Sequence, residues 1–338
     1  MAGLILVVNA GSTSLKLSVV DEDDASVAVP SIADASGDVA AVAHRVVHGG
    51  ARFHEPVPID EDVRRELEAL AELAPLHMAP ALEAIDEARR AMPDVSHVAV
   101  FDTAFHATLP AEAFTYAVPQ RWREQWGIRR YGFHGLSVAW ATERVPVPRL
   151  VVCHLGGGCS VTAVLDGRSV DTTMGFSPLE GVPMATRPGS IDPEILLYLL
   201  RHEFLAADEL EHALEHESGL LGLGGSARVE ELEMSPEPAA RIALDVFAHQ
   251  VAGAAARMAA SLGGLDAIVF TAGVGEGSAP VRSNICARLG FLGVELDPGL
   301  NTATIPDADV ARVDSPVRVW VVHAREDVVA ARAARAVL

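Results

Sequence analysis

The sequence has almost no lysine. Lys16 is the only lysine among the 26 basic residues, and all the others are arginines. Acidic residues number 46, so the formal net charge is −20. Nucleic acid phosphates repel a chain this acidic, and we expect no nucleic acid partner. An anionic ligand must therefore be held by positive groups gathered locally.

Cysteines are few and long apolar segments are missing. Cys153, Cys159 and Cys286 are odd in number and lack metal-binding spacing, so we expect buried, reduced thiols. No stretch approaches the ~18 consecutive apolar residues of a membrane span, and residues 1–8 lack the basic region of a signal peptide. These features predict a cytoplasmic protein with no membrane partner. The 338 residues are enough for two domains.

A glycine turn between two apolar runs stands near the middle of the chain. Residues 151–155 lead into Gly156, Gly157 and Gly158, and a β-branched run follows as far as Asp166. This pattern predicts a strand, a tight loop and a second strand. Glycines expose backbone N–H groups to a bound anion, so we interpret the loop as a phosphate-binding turn.

The same pattern occurs once earlier in the chain. At a constant offset, Gly11 aligns with Gly156, Ser14 with Cys159 and Asp21 with Asp166. The single lysine, Lys16, lies two residues after this first turn. One repeat of such long period is not a solenoid. It predicts two similar halves that each present a phosphate turn to a shared cleft.

Three charged residues interrupt or end predicted strands. Arg45 lies in the apolar run 39–47, a costly place for a permanent charge unless it faces an anion. Asp102 follows the strand at 98–101, where ligand sites form in α/β sheets, although it could instead cap the next turn. Glu326 follows the strand at 317–322, and a carboxylate there suits a hard metal ion.

Two loops and an aromatic stretch are further candidates. Residues 176–193 form a long loop rich in proline and glycine, with Arg187 placed to hold an anion. The turn at 272–278 has Ser278 where a dinucleotide fingerprint needs glycine, which excludes a Rossmann dehydrogenase but not nucleotide binding. Residues 116–135, which include His134, could stack on nucleic acid. In so acidic a chain, we favour a rigid wall beside the cleft.

Metal-ligand spacings occur twice, and we favour neither. His44 and His48 have helical spacing, but the valines around them favour a strand. Residues 212–216 match an H-x-x-E-H pattern within solvated charge. We predict helices at 60–73, 80–91, 193–202 and 238–262, an apolar link at 74–80 and a flexible bend at 219–225.

These stretches together resemble the acetate kinase family, within the superfamily of sugar kinases, heat-shock chaperones and actin. The resemblance runs nearly end to end and rests on residues 9–16, 44–50, 74–77, 101–106, 130–135, 153–160, 186–193 and 271–278. It implies an α/β fold of two duplicated domains, similar to actin and ribonuclease H, around a central nucleotide cleft. The implied domains are residues 1–104 with 326–338, and residues 105–325.

The resemblance also implies a reaction. The γ-phosphoryl group of ATP would pass reversibly to acetate, giving acetyl phosphate and ADP, with Mg²⁺ (or Mn²⁺) and in a homodimer. Alternatives are a related propionate or butyrate kinase, or a nucleotide-switch protein of the same superfamily without catalysis.

The family's functional residues map onto this sequence as follows. The catalytic residues would be Asp102, Arg45, Arg187 and His134, with the arginines holding carboxylate and phosphoryl oxygens and His134 steadying the transition state. Nucleotide and phosphates would be bound by Asn9, Ser12, Ser14, Lys16, His154, Gly156, Gly157, Gly158, Arg228, Gly273, Gly275 and Glu276. Val47, Leu76, Phe133 and Pro178 would line the substrate pocket, and Asn9 and Glu326 would hold the metal.

The sequence departs from the family pattern at several positions. Gly157 and Arg325 each replace an asparagine, residues 188–190 replace a serine, glycine, aspartate run, and residues 226–228 lack an aspartate expected near the base. These departures bear on nucleotide preference and efficiency more than on reaction class. The retained residues 273–276 favour ATP over pyrophosphate as donor.

Overall fold

Two six-stranded mixed sheets carry the fold. The computed structural model describes residues 3–10, 15–35, 39–73 and 75–338, and describes no side chain of residues 72–77. The strands are β1 (Leu4–Ala10), β2 (Leu15–Val20), β3 (Ser26–Ala28), β4 (Val39–Val46), β5 (Val57–Pro58), β6 (Ser96–Phe101), β7 (Arg149–Leu155), β8 (Cys159–Leu165), β9 (Arg168–Thr172), β10 (Ala267–Thr271), β11 (Ala308–Asp309) and β12 (Arg318–Val321). The α-helices are α1 (Glu61–Ala69), α2 (Pro75–Ala91), α3 (Ala111–Phe114), α4 (Gln120–Trp126), α5 (Gly135–Arg144), α6 (Pro193–Arg201), α7 (Ala207–His212), α8 (Gly219–Gly224), α9 (Val229–Met234), α10 (Pro238–Ser261), α11 (Ala272–Gly277), α12 (Ala279–Arg288), α13 (Pro298–Ala303) and α14 (Glu326–Arg335).

The first sheet has the strand order β3-β2-β1-β4-β6-β5. Strands β1, β2 and β3 are antiparallel neighbours, whereas β1, β4 and β6 run parallel to one another. β5 is antiparallel to β6 at the edge. The carboxyl ends of β1, β4 and β6 therefore meet at one edge of the sheet, which is where α/β proteins place ligand sites.

The second sheet repeats this arrangement, in the order β9-β8-β7-β10-β12-β11. The pairing directions also match, since β7, β8 and β9 are antiparallel neighbours and β7, β10 and β12 are parallel. Each strand has its counterpart six strands later, and β7 starts and ends at the residues that the sequence repeat aligns with β1. The predicted α/β fold with two duplicated halves is confirmed.

The chain folds into two compact units. The first unit comprises Met1–Ala107, Val118–Trp140 and Arg325–Leu338, and the second comprises Thr108–Ala117 and Ala141–Ala324. The domain boundaries predicted from sequence, after residues 104 and 325, stay a prediction. The two units differ from those domains chiefly at residues 118–140, which pack with the first unit.

Each sheet has a helix-covered apolar core. In the first unit, side chains of β1 and β4 pack against alanines of α2, and α14 packs on β1 and β4. In the second unit, β10 is buried along its whole length, and α10 lies against β7 and β8. The 24-residue α10 carries charged residues, and no helix in the described ranges is both long and apolar enough to span a bilayer.

Three local expectations differ from the structure. The segment expected to be an apolar link at 74–80 is helical from Pro75 onward. Proline is well accepted at the first helical position, because the N–H that it lacks would have no partner inside the helix there. The bend expected at 219–225 is the short helix α8, which backbone bonds from Leu220 to Met184 and from Leu221 to Ala185 hold in place. The glycine turn after β10 winds into α11. In α8, hydrogen bonds to distant residues stabilise a helix where the local glycine content favours a bend.

Two neutral histidines lie side by side in the first sheet. Nε2 of the buried His44 lies 3.0 Å from Nδ1 of His97, whose Nε2 lies 3.1 Å from the carbonyl oxygen of Met92. Burial, with the neighbouring His97, lowers the pKa of His44 to about 3, and burial also lowers the pKa of His97. His48 instead accepts a hydrogen bond from the Gly50 N–H. Within the described residues, these histidines belong to no group of three or more potential metal ligands.

The buried His44 makes stability depend on pH. Unfolded His44 binds a proton near its ordinary pKa of 6.5, whereas folded His44 binds one only near pH 3, so its contribution is complete above 6.5 and is lost as the pH falls. We expect His44→Gln to reduce the acid-side slope of the unfolding free energy by up to about 1.4 kcal/mol per pH unit. Urea denaturation between about pH 6 and 4 measures this slope.

The matched control is His54→Gln, because His54 is exposed in the same unit. This change should leave the slope as in the wild type. Equal slopes for His44→Gln and wild type would contradict the assignment of His44 as a neutral buried group.

Candidate active site

In the first unit, three polar side chains meet at the carboxyl edge of the sheet. Asn9 and Arg45 are register partners on β1 and β4, and Asp102 directly follows β6, with its N–H bonded to the Val46 carbonyl. Nη1 of Arg45 donates to Oδ1 of Asn9 at 3.1 Å, and Nη2 donates to the Asp102 carboxylate. The structure thus brings together three residues that the sequence analysis selected separately.

The charges in this cluster depend on one another. The Asp102 side chain is wholly buried, and that of Arg45 is 14 % exposed. Burial by itself would lower the pKa of the Arg45 guanidinium, but the carboxylates of Asp102 and Glu326 raise it above its ordinary value. Arg45 therefore remains charged, with a small accessible part that can meet an anion.

Glu326 and Asn9 are the predicted metal ligands. Glu326 begins α14, and Nδ2 of Asn9 lies 3.5 Å from its Oε2. No group of three or more His, Cys, Asp or Glu ligands occurs among the residues that the structure describes. Mg²⁺ commonly takes only one or two protein carboxylates and completes its shell with waters and substrate phosphates. The Glu326 carboxylate fits such a shared site. Asn9 directs its amide nitrogen at Glu326 and its oxygen at Arg45, so it could add an oxygen ligand only after its side chain reorients.

His134 is fixed next to Asp102 by the backbone. Its φ angle is +60°, a left-handed conformation that is uncommon outside glycine. The following Gly135 N–H donates to the Asp102 carbonyl at 2.8 Å, and a Cβ at Gly135 would lie 2.2 Å from that oxygen. Only glycine permits this approach, which places His134 next to the backbone segment that carries the buried Asp102 carboxylate.

Aromatic rings form a wall beside this cluster. The buried His48 ring packs edge-on against Tyr131 and Phe133, with centroids 4.4 and 5.5 Å away. Val47 and Phe133, two predicted substrate-pocket residues, are buried in the first unit. The third, Leu76, lies outside the residues whose side chains are described. Pro178 is buried in the second unit.

In the second unit, the two predicted glycine turns adjoin each other. A Cβ on Gly156 would lie 3.5 Å from the Ala272 side chain and 3.9 Å from the Gly273 nitrogen. Side chains at Gly157 and Gly273 would meet nothing within 4 Å, so both turns have an open side. The buried His154 pairs with Thr271 across β7 and β10 just before these turns. Neighbouring glycine turns with open space suit a polyphosphate.

Arg187 lies in the same unit with a fixed orientation. Its Nε forms an ion pair with Oε2 of Glu215 at 2.8 Å, and its Nη1 lies 3.4 Å from the Pro178 carbonyl oxygen. Each side chain of the ion pair is 14 % exposed. Ala185, in the same loop, donates to the Gly157 carbonyl oxygen. The loop thus ties the arginine to the central glycine turn.

Glu215 and His106 contact predicted site residues, and the sequence analysis did not select them. Glu215 belongs to the H-x-x-E-H pattern, and its partner Arg187 is too distant in sequence for any local signal. His106 is buried against the Phe133 carbonyl oxygen, 2.9 Å from its Nε2, and burial lowers its pKa to about 4. Its nearness to Asp102 in the chain was the only available signal.

The remaining predicted ligands are spread more widely. Oε1 of Glu276 accepts a hydrogen bond from the Ala324 N–H, and Oε2 of Glu276 lies 2.6 Å from Nδ1 of His323. Arg228 is exposed beside Glu231, and Lys16 is exposed on β2. Ser12 and Ser14 lie outside the described residues. Their nucleotide roles stay predictions.

Comparisons with known proteins identify the class. The sequence profile of the acetokinase family matches residues 25–332. An acetate kinase of Protochlamydia amoebophila is 44 % identical over 294 residues, which cover 85 % of this chain and 74 % of that protein. An acetate kinase of Gloeobacter violaceus is 47 % identical over 314 residues, 89 % of this chain and 77 % of that protein.

Solved structures agree in fold. A propionate kinase from Francisella tularensis superposes with a TM-score of 0.92 at 32 % identity, covering 98 % of this chain and 99 % of that one. An acetate kinase from Porphyromonas gingivalis gives a TM-score of 0.87 at 28 % identity, covering 99 % and 100 %. The chain belongs to the acetokinase family, as the sequence resemblance predicted.

The close approach at Gly135 gives a test of the first-unit site. We expect Gly135→Ala to lower the free energy of unfolding by about 1–3 kcal/mol, because its methyl group would displace the Asp102 backbone or the start of α5. Thermal unfolding measures the loss. Gly253→Ala, in open space within α10, should instead be neutral or stabilise by up to about 1 kcal/mol. Unchanged stability of Gly135→Ala would contradict the tight packing described.

Proposed function

We propose that this protein is an acetate kinase. It transfers the γ-phosphoryl group of ATP to acetate, as the names of its relatives describe for those proteins. An acetate oxygen attacks the γ-phosphorus, the bond from that phosphorus to the β–γ bridging oxygen breaks, and ADP and acetyl phosphate leave. The observation that carries the proposal is the Arg45 guanidinium, held between Asn9 and the buried Asp102.

Arg45 serves to orient one of the reacting anions. Phosphoryl transfer needs alignment and charge stabilisation more than covalent assistance. The pairing with Asp102 fixes the guanidinium plane, so less reorganisation is needed when an acetate or phosphoryl oxygen arrives. His134, held near Asp102 by the Gly135 backbone, offers a hydrogen bond to the oxygens that carry charge in the transition state.

The second unit contributes the second arginine and the glycine turns that bind the nucleotide. Gly156, Gly157, Gly158, Gly273 and Gly275 present backbone N–H groups to the phosphates, and His154 lines the same strand edge. Arg187, oriented by Glu215, contacts the transferred phosphoryl group. Lys16, Ser12, Ser14, Arg228 and Glu276 complete the proposed nucleotide contacts. This assignment rests on the family resemblance and on the two adjoining glycine turns.

Magnesium is the metal that the donor set fits. Glu326 and Asn9 would hold Mg²⁺, or Mn²⁺, which neutralises phosphate charge while ATP is bound. The protein would work in the cytoplasm, where ATP and acetate are available.

Acetate is favoured by the proposed pocket. Val47 and Phe133 are buried in the first unit, and the family resemblance adds Leu76 and Pro178 as apolar pocket residues, a set that favours a short alkyl group. A structural relative is a propionate kinase, so propionate is the main rival substrate. A nucleotide switch without catalysis would leave Arg45, Arg187 and His134 without a purpose.

A hydroxylamine trap tests the function. We expect acyl hydroxamate to form when the protein is incubated with ATP, Mg²⁺ and acetate, and to decrease as the acid lengthens from two to five carbons. Arg45→Lys and Arg187→Lys should each lower kcat by about two orders of magnitude or more, because an ammonium group cannot reproduce the fixed guanidinium fork.

Lysine is chosen because it keeps the charge. Deleting Arg45 would remove the cation that pairs with the buried Asp102 carboxylate, at a cost of about 3–5 kcal/mol in stability. Arg52→Lys, exposed in the first unit, is the matched control and should retain full turnover. Wild-type rates in both site variants would refute the assigned roles, and acetate-independent ATP hydrolysis would favour the switch.

We also propose a homodimer formed through α6. This helix has no buried residue, although it is strongly apolar. The large apolar residues on and beside it are between 39 % and 59 % exposed: Ile191, Ile195, Leu197, Tyr198, Leu200 and Phe204. Their combined exposed area is on the order of 600 Å², larger than most monomers leave uncovered and near the ~800 Å² per partner of a stable interface.

A second copy fits this face by charge. Glu194 and Arg201 form an ion pair along the exposed side of α6, with apolar residues on both sides of them. Two copies of α6 packed antiparallel across a twofold axis would place Glu194 of one chain beside Arg201 of the other. An isologous contact of this kind is the commonest route to a dimer.

Sedimentation velocity checks the dimer. Leu197→Glu should shift the protein from dimer to monomer at micromolar concentration, because it places a charge in the apolar interface. Val313→Glu, at a wholly exposed residue elsewhere in the second unit, should leave the dimer intact. A monomeric wild type, or a dimeric Leu197→Glu variant, would rule out this surface.

A further inference from the structure

Arg282 is a buried cation in the second unit. It lies in α12, is 2 % exposed, and is among the largest buried side chains of the described residues. Nε donates to Oδ1 of Asn301 at 2.7 Å and Nη2 to the Asn301 carbonyl oxygen at 2.8 Å. Nη1 donates to the carbonyl oxygens of Gly275 and Glu276 at 2.8 and 2.7 Å. All four acceptors are neutral oxygens.

The charge of Arg282 has no acidic partner in the described part of the chain. Burial lowers its pKa, but a guanidinium remains protonated in proteins. The nearby Glu276 carboxylate instead contacts Nδ1 of His323 and accepts a hydrogen bond from the Ala324 N–H. Arg45 and Arg187, by contrast, each have a carboxylate partner. A buried cation without a counter-ion costs stability, so it calls for an explanation beyond packing.

The geometry of Arg282 bears on the glycine turn. The carbonyls of Gly275 and Glu276 end the short helix α11, whose free C=O groups and negative dipole end favour a cation. Because peptide units are planar, fixing two successive carbonyls also fixes the path of the turn. The turn begins at Ala272 with a φ of +66°, a strained conformation that its surroundings must maintain.

The two sides of the turn differ. A Cβ on Gly275 would lie 3.3 Å from the Phe270 backbone, whereas one on Gly273 would meet nothing within 4 Å. Arg282 therefore holds the packed side of a turn whose other side is open.

We propose that Arg282 is a positioning residue for nucleotide binding. It holds the turn from Ala272 to Gly277 in the conformation that accepts ATP or ADP, and the nucleotide phosphates offset its buried charge. The inference rests on the proposed function, which assigns Gly273 and Gly275 to the nucleotide. Arg282 itself touches neither substrate, so its replacement affects nucleotide affinity and leaves the chemical step and acetate binding unaltered.

Calorimetric titration with ADP tests this role. Arg282→Lys keeps the charge but cannot bridge Asn301 and the two carbonyls, so we expect the Kd for ADP to rise about tenfold. Asn301→Ala removes one of the acceptors while keeping the arginine, and should give a smaller rise. In both variants kcat and the KM for acetate should stay near their wild-type values.

The control and the outcomes are as follows. Arg149→Lys, in a half-exposed ion pair with Asp266 at the other end of β7, should leave the ADP affinity unchanged. If Arg282→Lys does not fold, Asn301→Ala carries the test. Unchanged ADP affinity, or a KM for acetate that rises as much as the Kd, overturns the positioning role.

The titration needs no turnover, so the two proposals can fail separately. A wild type that forms no hydroxamate but binds ADP in an Arg282-dependent way refutes the kinase and supports the positioning role. A wild type that turns over, but whose ADP affinity does not depend on Arg282, supports the kinase and refutes the positioning role. A wild type that does not bind ADP overturns both.

Discussion

The ion pair between Arg45 and Asp102 is the interaction on which the first-unit site depends. An ionised carboxylate with no solvent exposure is unfavourable by several kcal/mol unless a cation and hydrogen bonds compensate it. Arg45 supplies such a cation when β4 and β6 are in register, because the two residues come from neighbouring strand ends. The pairing that stabilises the sheet edge therefore also orients the guanidinium, and site geometry and fold stability are coupled.

Duplication has produced two equivalent edges with different chemistry. Asn9 and Arg45 are register partners on β1 and β4, and the corresponding partners on β7 and β10 are His154 and Thr271. One edge carries a guanidinium, whereas the other carries a histidine and a threonine followed by glycine turns. The first suits recognition of a compact anion by a fixed fork, and the second suits close approach of backbone N–H groups to phosphates. A single repeated topology thus supplies both parts of a phosphotransferase.

The sequence predicted the strands and the strand-end residues well, because buried strands leave a local apolar signature. The strand expected at 151–155 is found within β7, and the repeat aligned β1 with β7 before any topology was known. What it missed depends on residues distant in the chain. The helix α8 forms where glycines favour a bend, since Met184 and Ala185 supply backbone acceptors. Glu215 and Arg282 gave no local signal, because their partners lie in other loops and helices.

The acidic character of the chain constrains how anionic substrates are recognised. With a net charge of −20, the long-range field opposes the approach of ATP and acetate, so steering by the whole protein cannot assist binding. Arg45 and Arg187 each share their charge with a carboxylate, which weakens their attraction for a free anion but fixes their direction. Fixed donors cost little reorganisation when charge develops on a transferring phosphoryl group. Recognition in this protein therefore relies on short-range geometry. The arginines orient the bound anions and do not create a net positive potential.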